Sequence, residues 1–538
     1  MNDANFFDTL VILGKLLLVN SLFLIFNNAQ LIIILIFVNK KYPNDQILTN
    51  SIGVVNLILN ILIYPFIYGI NSTFEILGSQ SFGNKKNKLF MIYIRKLKII
   101  GNSFILVSCL IIYILSKNIF GLWKHESNIQ KEALIILIIR FFSLPCEFQI
   151  SMKLRYLQII NKSSEAILLL ISNGILLPLF AYLFILFFDF YSYGCGLVYF
   201  CNNIIMLITL IILMNFLKIK EGLFEDFKNN DQNKRNENNK DKEKIQFTEL
   251  SCNEVFVSKL NRYSNFNEIK NDTNIKDEAL ILNIDEKDNN VSHIKEEIYS
   301  KNTENNELNN NSQNSVEKET NYFFLFKFIL PLFLISFMDN LSVESMSIFS
   351  NSFDSKSYSI YLNAYSLYNL VGTISISFNT SASILISSNY CKSSGSKMRK
   401  LIYNILSIGL IISIFIGTIM FFFCDNILKF LLQNKEIEEN SKSMFHMSIL
   451  CNMMDIIQYI LISTLKSFGY IYLSFSIFLT GNITNIILIY FFAYNTQMKI
   501  YGIFFGYLMN EIILITMYFF TYLFFIDFEK TNNDNKIK

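Results

Sequence analysis

The chain has 538 residues, 52% of them hydrophobic and 15% aromatic, with 53 Phe and 28 Tyr but a single Trp and five Pro. Charged residues make up 17%, against roughly 25% in ordinary soluble domains, and the apolar residues gather into runs such as 104–115 and 204–216. That excludes a soluble globular protein and points to a polytopic membrane protein. The net charge of +3 hides a split: residues 221–321 hold 22 acids and 14 bases (−8), and the rest of the chain 32 bases and 21 acids (+11).

A bilayer core of roughly 30 Å needs about 20 apolar residues per helical span. In chain order, such runs are predicted at 10–38, 48–74, 97–117, 133–152, 164–188 and 194–218. The first follows Asp3 and Asp8 rather than a basic region, so it is taken as a span and not as a cleaved leader. Residues 221–321 then carry 23 Asn and only seven aromatics. This composition cannot offset its chain entropy by burial, and it predicts a disordered linker, read as a passive tether. Six more runs follow, at 324–350, 357–388, 401–424, 442–465, 471–492 and 500–526. The expected fold is all-α, with twelve transmembrane helices in two pseudo-symmetric six-helix lobes, 1–220 and 322–528, and a short tail at 529–538.

Basic residues accumulate in the even-numbered loops, for example Lys85, Lys86, Lys88, Arg95, Lys96 and Lys98 after the second run. By the positive-inside rule these loops face the cytoplasm, as do both termini and the linker. The halves also repeat in sequence. At a constant offset of 308, Asn71 matches Asn379, Ser79 matches Ser387, Tyr193-Gly194 matches Tyr501-Gly502, and Asn202 matches Asn510. Six spans per half give the two halves the same orientation, and parallel repeats of this kind place a transport site between them. Eight Cys without a CxxC indicate neither a disulfide framework nor a metal knuckle. The absence of a glycine-rich phosphate loop with its Lys argues against ATP-driven transport by this chain alone.

Ionisable side chains inside spans are costly and therefore candidate sites. They are Glu75, Glu147, Asp339, Glu344, Asp455 and Glu511, all acidic. No cation is expected deep in a span, with Lys15 and Arg140 as the available partners. Acids without cations suit a carrier of H⁺ or Na⁺ that exchanges it for a cation. Asp339 and Glu344 are five residues apart, about 500° of helix, so their carboxylates diverge by about 140°. They can share a broad cavity but not one narrow point, and Asn340, Ser342 and Ser345 are alternative, purely local partners. Pro331, two turns before Asp339, permits a bend. Asp455 and Gln458 share a helix face and could bind a cation or make a helix–helix polar contact. Asn71, Glu75 and Gln80 lie in the run from Gly69 to Gly83, where a gate or hinge is expected. Arg155 and Gln158 hold the corresponding place after the fourth span, with Arg155 read as a cytoplasmic anchor.

Four stretches together resemble the multidrug and toxic-compound extrusion (MATE) family, eukaryotic branch. They are Glu75-Ile-Leu-Gly-Ser-Gln80-Ser-Phe-Gly83, Arg155-Tyr-Leu-Gln158, Pro331-x₇-Asp339-x₄-Glu344, and Asp455-Ile-Ile-Gln458 followed by Leu465-Lys466-Ser-Phe-Gly469. The resemblance implies a secondary antiporter without a cofactor that is not an enzyme. It would export organic cations, xenobiotics or metabolites in exchange for H⁺ or Na⁺ as two lobes rock. Substrate binding and coupling would fall on Asp339, Glu344 and Asp455. Expected partners are a small-molecule substrate, H⁺ or Na⁺ and the lipid bilayer, with no nucleic acid, for a monomer in the plasma membrane or an internal one. The chain departs from the family in having Asn340-Leu341 where two aromatics follow the first acid, and in its long acidic insert. A flippase-like exporter of a lipid-linked or anionic substrate is the alternative on a related fold. A twelve-span facilitator, a membrane enzyme and a receptor fit the motifs and the duplication less well.

Overall fold

The computed structural model describes residues 6–42, 45–122, 127–217, 321–350, 352–353, 355–390, 392–426 and 435–525. Among these residues the chain forms helices only. They are α1 (Phe6–Lys41), α2 (Gln46–Leu62), α3 (Tyr64–Gly83), α4 (Asn87–Leu122), α5 (Ser127–Ile159), α6 (Ser163–Ala181) and α7 (Tyr191–Phe216), then α8 (Tyr322–Ser350), α9 (Ser355–Tyr390), α10 (Gly395–Phe422), α11 (Lys435–Ser467), α12 (Ile471–Tyr490) and α13 (Ile500–Phe525). Eleven contain stretches long and apolar enough to cross a membrane, and α2 with α3, bent by 43°, supplies a twelfth span. Every predicted span is present. The tail at 529–538 and all of the predicted linker except Asn321 lie outside the described residues.

The boundaries differ where charge was taken as a loop signal. The third span begins at Asn87, not at 97, and the fourth runs on to Ile159 rather than ending near 152. Lys and Arg are good helix formers, so a helix continues as a polar stem past the apolar run. The break in the second span has a local cause. Asp45 caps α2 by accepting from the backbone N–H groups of Ile47 and Leu48. Pro65 in the first turn of α3 has no N–H to give the preceding turn, and the axis bends at Ile63. By contrast α8 passes through Pro331 without interruption.

Each lobe turns its apolar outer faces away from the partner lobe, with Leu106 and Ile114 on α4 and Ile411 and Phe415 on α10 exposed. The duplication is visible in backbone detail. Both α6 and α12 loosen into a π-helical turn, Tyr182–Phe187 and Phe491–Asn495. After each turn a glycine backs onto a carbonyl, Gly194 on that of Phe184 and Gly502 on that of Phe492. These pairs keep the offset of 308 seen in the sequence.

The lobes meet where α3 packs on α8 and α9, and where α1 packs on α9 and α10. Two glycines of α3 allow this. A Cβ at Gly69 would sit 2.8 Å from the Phe333 nitrogen, and one at Gly83 would collide with the Ser388 carbonyl. Nearby, Gln80 Nε2 donates to the Ser467 carbonyl at 3.2 Å and Asn20 Nδ2 to Ser381 Oγ at 2.8 Å. Gly83→Val is therefore expected to keep the lobes from seating at this end. Spin-label distances between the ends of α3 and α9 should lengthen and broaden. An unchanged distance distribution would mean that the backbone yields without separating the lobes.

Candidate functional site

A cavity of about 90 Å³ lies between the lobes, room for several waters. Tyr68, Asn71, Glu75 and Arg155 line it from the first lobe, and Asp339, Asn379, Thr380, Tyr459 and Lys466 from the second. The bend at Ile63 and the glycine contacts bring α3 against α8, so that Glu75 and Asp339 open into one space. Asn71, Glu75, Arg155 and Asp339 were singled out in the sequence. Tyr68, Tyr459 and Lys466 were not assigned a site role.

Glu75 is buried and pairs with Arg155, whose Nε lies 2.8 Å from its Oε1 at an angle that makes an ion pair rather than an aligned hydrogen bond. Arg155 Nη1 also donates to Asn20 Oδ1 and, at 3.2 Å, to Gln158 Oε1. Gln158 Nε2 donates to the same Asn20 oxygen at 2.7 Å. Asn71 Nδ2 donates to Ser151 Oγ at 3.1 Å. Arg155 is thus not a surface anchor: only 5% of it is exposed, because α5 continues inward as helix and the guanidinium finds an acid there. The expected scarcity of cationic partners is corrected in part, since Arg155 and Lys466, near the ends of α5 and α11, turn inward. Arg140, Arg155 and Lys466 are all buried.

On the opposite wall, Tyr459 donates to Asp339 Oδ2 at 2.7 Å, and Lys466 donates to Asn379 Oδ1 at 3.0 Å. Asn340 also lines the cavity, and it donates to the Asn60 carbonyl at 2.8 Å. The aromatic surface missing at Asn340-Leu341 is supplied instead by Tyr68, Tyr459 and Phe478 on the cavity wall. The two acids that could have shared a broad cavity do not share this one, because Glu344 is not among the residues lining it. Its carboxylate faces Asn60.

Asp455 and Gln458 are buried and do not line the cavity. Asp455 points into the second lobe, where Tyr368 Oη lies 3.0 Å from its Oδ2 and Tyr507 Oη 3.4 Å from its Oδ1. The two phenol oxygens are 2.8 Å apart. These three contacts need three protons, and two phenols supply two. Glu511 joins the same cluster from α13, with Oε2 buried and without a hydrogen-bond partner. The cluster is therefore short of positive charge by one proton or more.

The first lobe holds the matching cluster in a different charge state. The offset of 308 pairs Asp455 with Glu147, Tyr507 with Tyr199, Glu511 with Asn203 and Ser448 with Arg140. Arg140 Nη1 lies 3.8 Å from Glu147, Nη2 donates to Tyr64 Oη at 2.5 Å, and the guanidinium stacks 3.8 Å over the Tyr199 ring. Here the acid is neutralised within the protein. In the second lobe a serine stands where the arginine would be, and a second acid replaces an amide. Among the described residues no three His, Cys, Asp or Glu side chains converge to hold a metal ion.

The MatE family model matches residues 19–189 and 331–491, most of both lobes. The eukaryotic MATE transporter AtDTX14 is similar with a TM-score of 0.65 at 13% identity, over 98% of this chain and 97% of that one. The Vibrio cholerae MATE transporter VcmN in its bent form gives 0.66 at 11% identity, over 98% and 99%. An outward-facing multidrug resistance MATE family transporter of the MOP superfamily gives 0.67 at 10%, over 98% and 96%. At such identities the likeness is one of fold. No curated protein matches the chain.

Proposed function

The chain belongs to the MATE family of membrane efflux transporters, and from that premise we propose that it is an antiporter that exchanges a small organic solute for H⁺ or Na⁺. The observation that carries this reading is the separation of two sites in one lobe. Asp339 lines the interlobe cavity, where a solute would lie, while Asp455 and Glu511 sit behind it with no cationic partner among the described residues. Tyr459 links the two: it donates to Asp339, and it lies one turn along α11 from Asp455. A coupling ion entering the cluster supplies the missing positive charge, which weakens the hold of Asp339 on a cationic group through the shared wall. Solute leaves, the lobes rock, and the ion is released on the other side. With the even-numbered loops cytoplasmic, the Gly83–Ser388 contact is the cytoplasmic seal.

The test is exchange by purified protein in proteoliposomes, first under an imposed pH gradient and then under a Na⁺ gradient. Cation movement driven by one gradient is expected, with most of it lost in Asp339→Asn at unchanged folding. Full exchange in Asp339→Asn would remove this residue from the mechanism. No gradient-driven movement by folded wild-type protein would overturn the antiporter reading.

A further inference from the structure

Within the antiporter reading, we infer that the first lobe contains a monovalent-cation site whose permanent occupant is the guanidinium of Arg140, a cation tethered to the protein. The inference starts from how Arg140 is held. It is buried, and its Nη2 donates to Tyr64 Oη at 2.5 Å. Its Nε and Nη1 are buried too, with no hydrogen-bond partner among the described residues. An arginine kept for architecture saturates its donors, because each buried donor left unmet is costly. What surrounds Arg140 instead answers its charge. Glu147 Oε2 lies 3.8 Å from Nη1, and the Tyr199 ring lies 3.8 Å beneath the guanidinium. Tyr64 ties the set together by donating to the same Glu147 oxygen at 3.3 Å. An acid, a phenol oxygen and a ring face are the surroundings of a bound cation.

The second lobe shows the same place without its tethered cation. At the offset of 308, Asp455 stands for Glu147, Tyr507 for Tyr199 and Ser448 for Arg140. Ser448 is too short to reach the acid, and its hydroxyl donates to the Phe445 carbonyl at 2.8 Å. Asp455 is left with the phenols of Tyr368 and Tyr507. A matched pair of amides marks both places as sites for a ligand. Asn202 and Asn510, again 308 apart, are 1% and 2% exposed. Each has a buried side-chain oxygen without a partner among the described residues. Such an oxygen suits a hard cation like Na⁺. Arg140 and Glu147 are seven residues apart on α5, two turns along one face, so rocking of the lobes does not part them. The first lobe therefore stays loaded throughout the cycle, and the coupling ion enters and leaves the second lobe alone.

Counting radioactive Na⁺ bound to the full-length protein in detergent tests this. Arg140→Ser, which copies the residue of the second lobe, is expected to bind one Na⁺ more per molecule than the wild type. The extra ion should be lost when Glu147→Gln is added, and Arg140→Lys, which keeps a tethered charge, should match the wild type. An unchanged count in folded Arg140→Ser would mean a stranded carboxylate neutralised by a proton, and would overturn the inference. An extra Na⁺ that survives Glu147→Gln would overturn it as well. Where Arg140→Ser is too unstable to count, its melting midpoint is read in NaCl against choline chloride of equal ionic strength. Na⁺ should raise that midpoint by more than it raises the wild type's, and a response no larger than the wild type's would overturn the inference. Exchange in proteoliposomes is read separately. Its failure would sink the antiporter reading whatever the count, and an unchanged count would leave that reading standing.

Discussion

Arg155→Met is expected to destabilise the protein by about 3–5 kcal/mol, the cost of leaving one member of a buried ion pair alone. The side chains of Arg155 and Glu75 are 6% and 5% exposed, so the few waters the cavity can hold replace the lost partner only in part. Surface pairs, in contrast, contribute about 0–1 kcal/mol. The guanidinium also fixes Asn20, and Asn20 in turn reaches Ser381 of the other lobe. The substitution therefore removes a strut between lobes as well as a charge. The melting midpoint of detergent-solubilised protein measures the loss. The double variant Glu75→Gln with Arg155→Met should recover most of it, because no charge is then stranded. If the double variant melted as low as Arg155→Met alone, the guanidinium's packing and amide contacts would be the cause instead of the charge.

Asp455→Asn combined with Glu511→Gln is expected to abolish coupled exchange. The amides keep the size of the acids and can still hydrogen-bond to Tyr368 and Tyr507, so the packing of α9, α11 and α13 is retained. What disappears is the cluster's demand for a proton or a Na⁺ ion. In proteoliposomes, the rate should become insensitive to both pH and Na⁺ gradients. Continued response to either gradient would place the coupling site elsewhere. The first lobe is the poorer candidate, because the acid there already has Arg140.

Span number, order and duplication were legible because each rests on long runs and on one repeated offset. Helix ends were not, since Lys88 and Arg95 read as loop by charge while their backbone is helical. The acids could be found from cost alone, which is why Asp339 and Glu75, both of which line the interlobe cavity, were singled out. Their partners could not. Arg155 and Lys466 lie at the polar ends of apolar runs, where a cation ordinarily reaches water, and nothing local distinguishes one that turns inward. The tyrosines were hidden for a different reason: in a chain with 28 of them, Tyr368, Tyr459 and Tyr507 carry no individual signal. The offset of 308 was the one clue available. It sets Lys466 against Gln158 and Glu511 against Asn203, and charge placed at one copy only is a sign of use rather than of scaffold.

The two glycines of α3 have a mechanical meaning. Fourteen residues separate Gly69 from Gly83, about 21 Å along a helix rising 1.5 Å per residue. With the Gly69–Phe333 contact as fulcrum, a turn of about 10° swings the Gly83 end through about 4 Å, more than the ~2.8 Å diameter of a water molecule. In the proposed cycle a rotation that small would break the seal against Ser388 without unseating the fulcrum. The same helix would then serve as lever and as bolt. Its two glycines would do different work, one keeping two backbones close throughout and the other letting them part once in each turn.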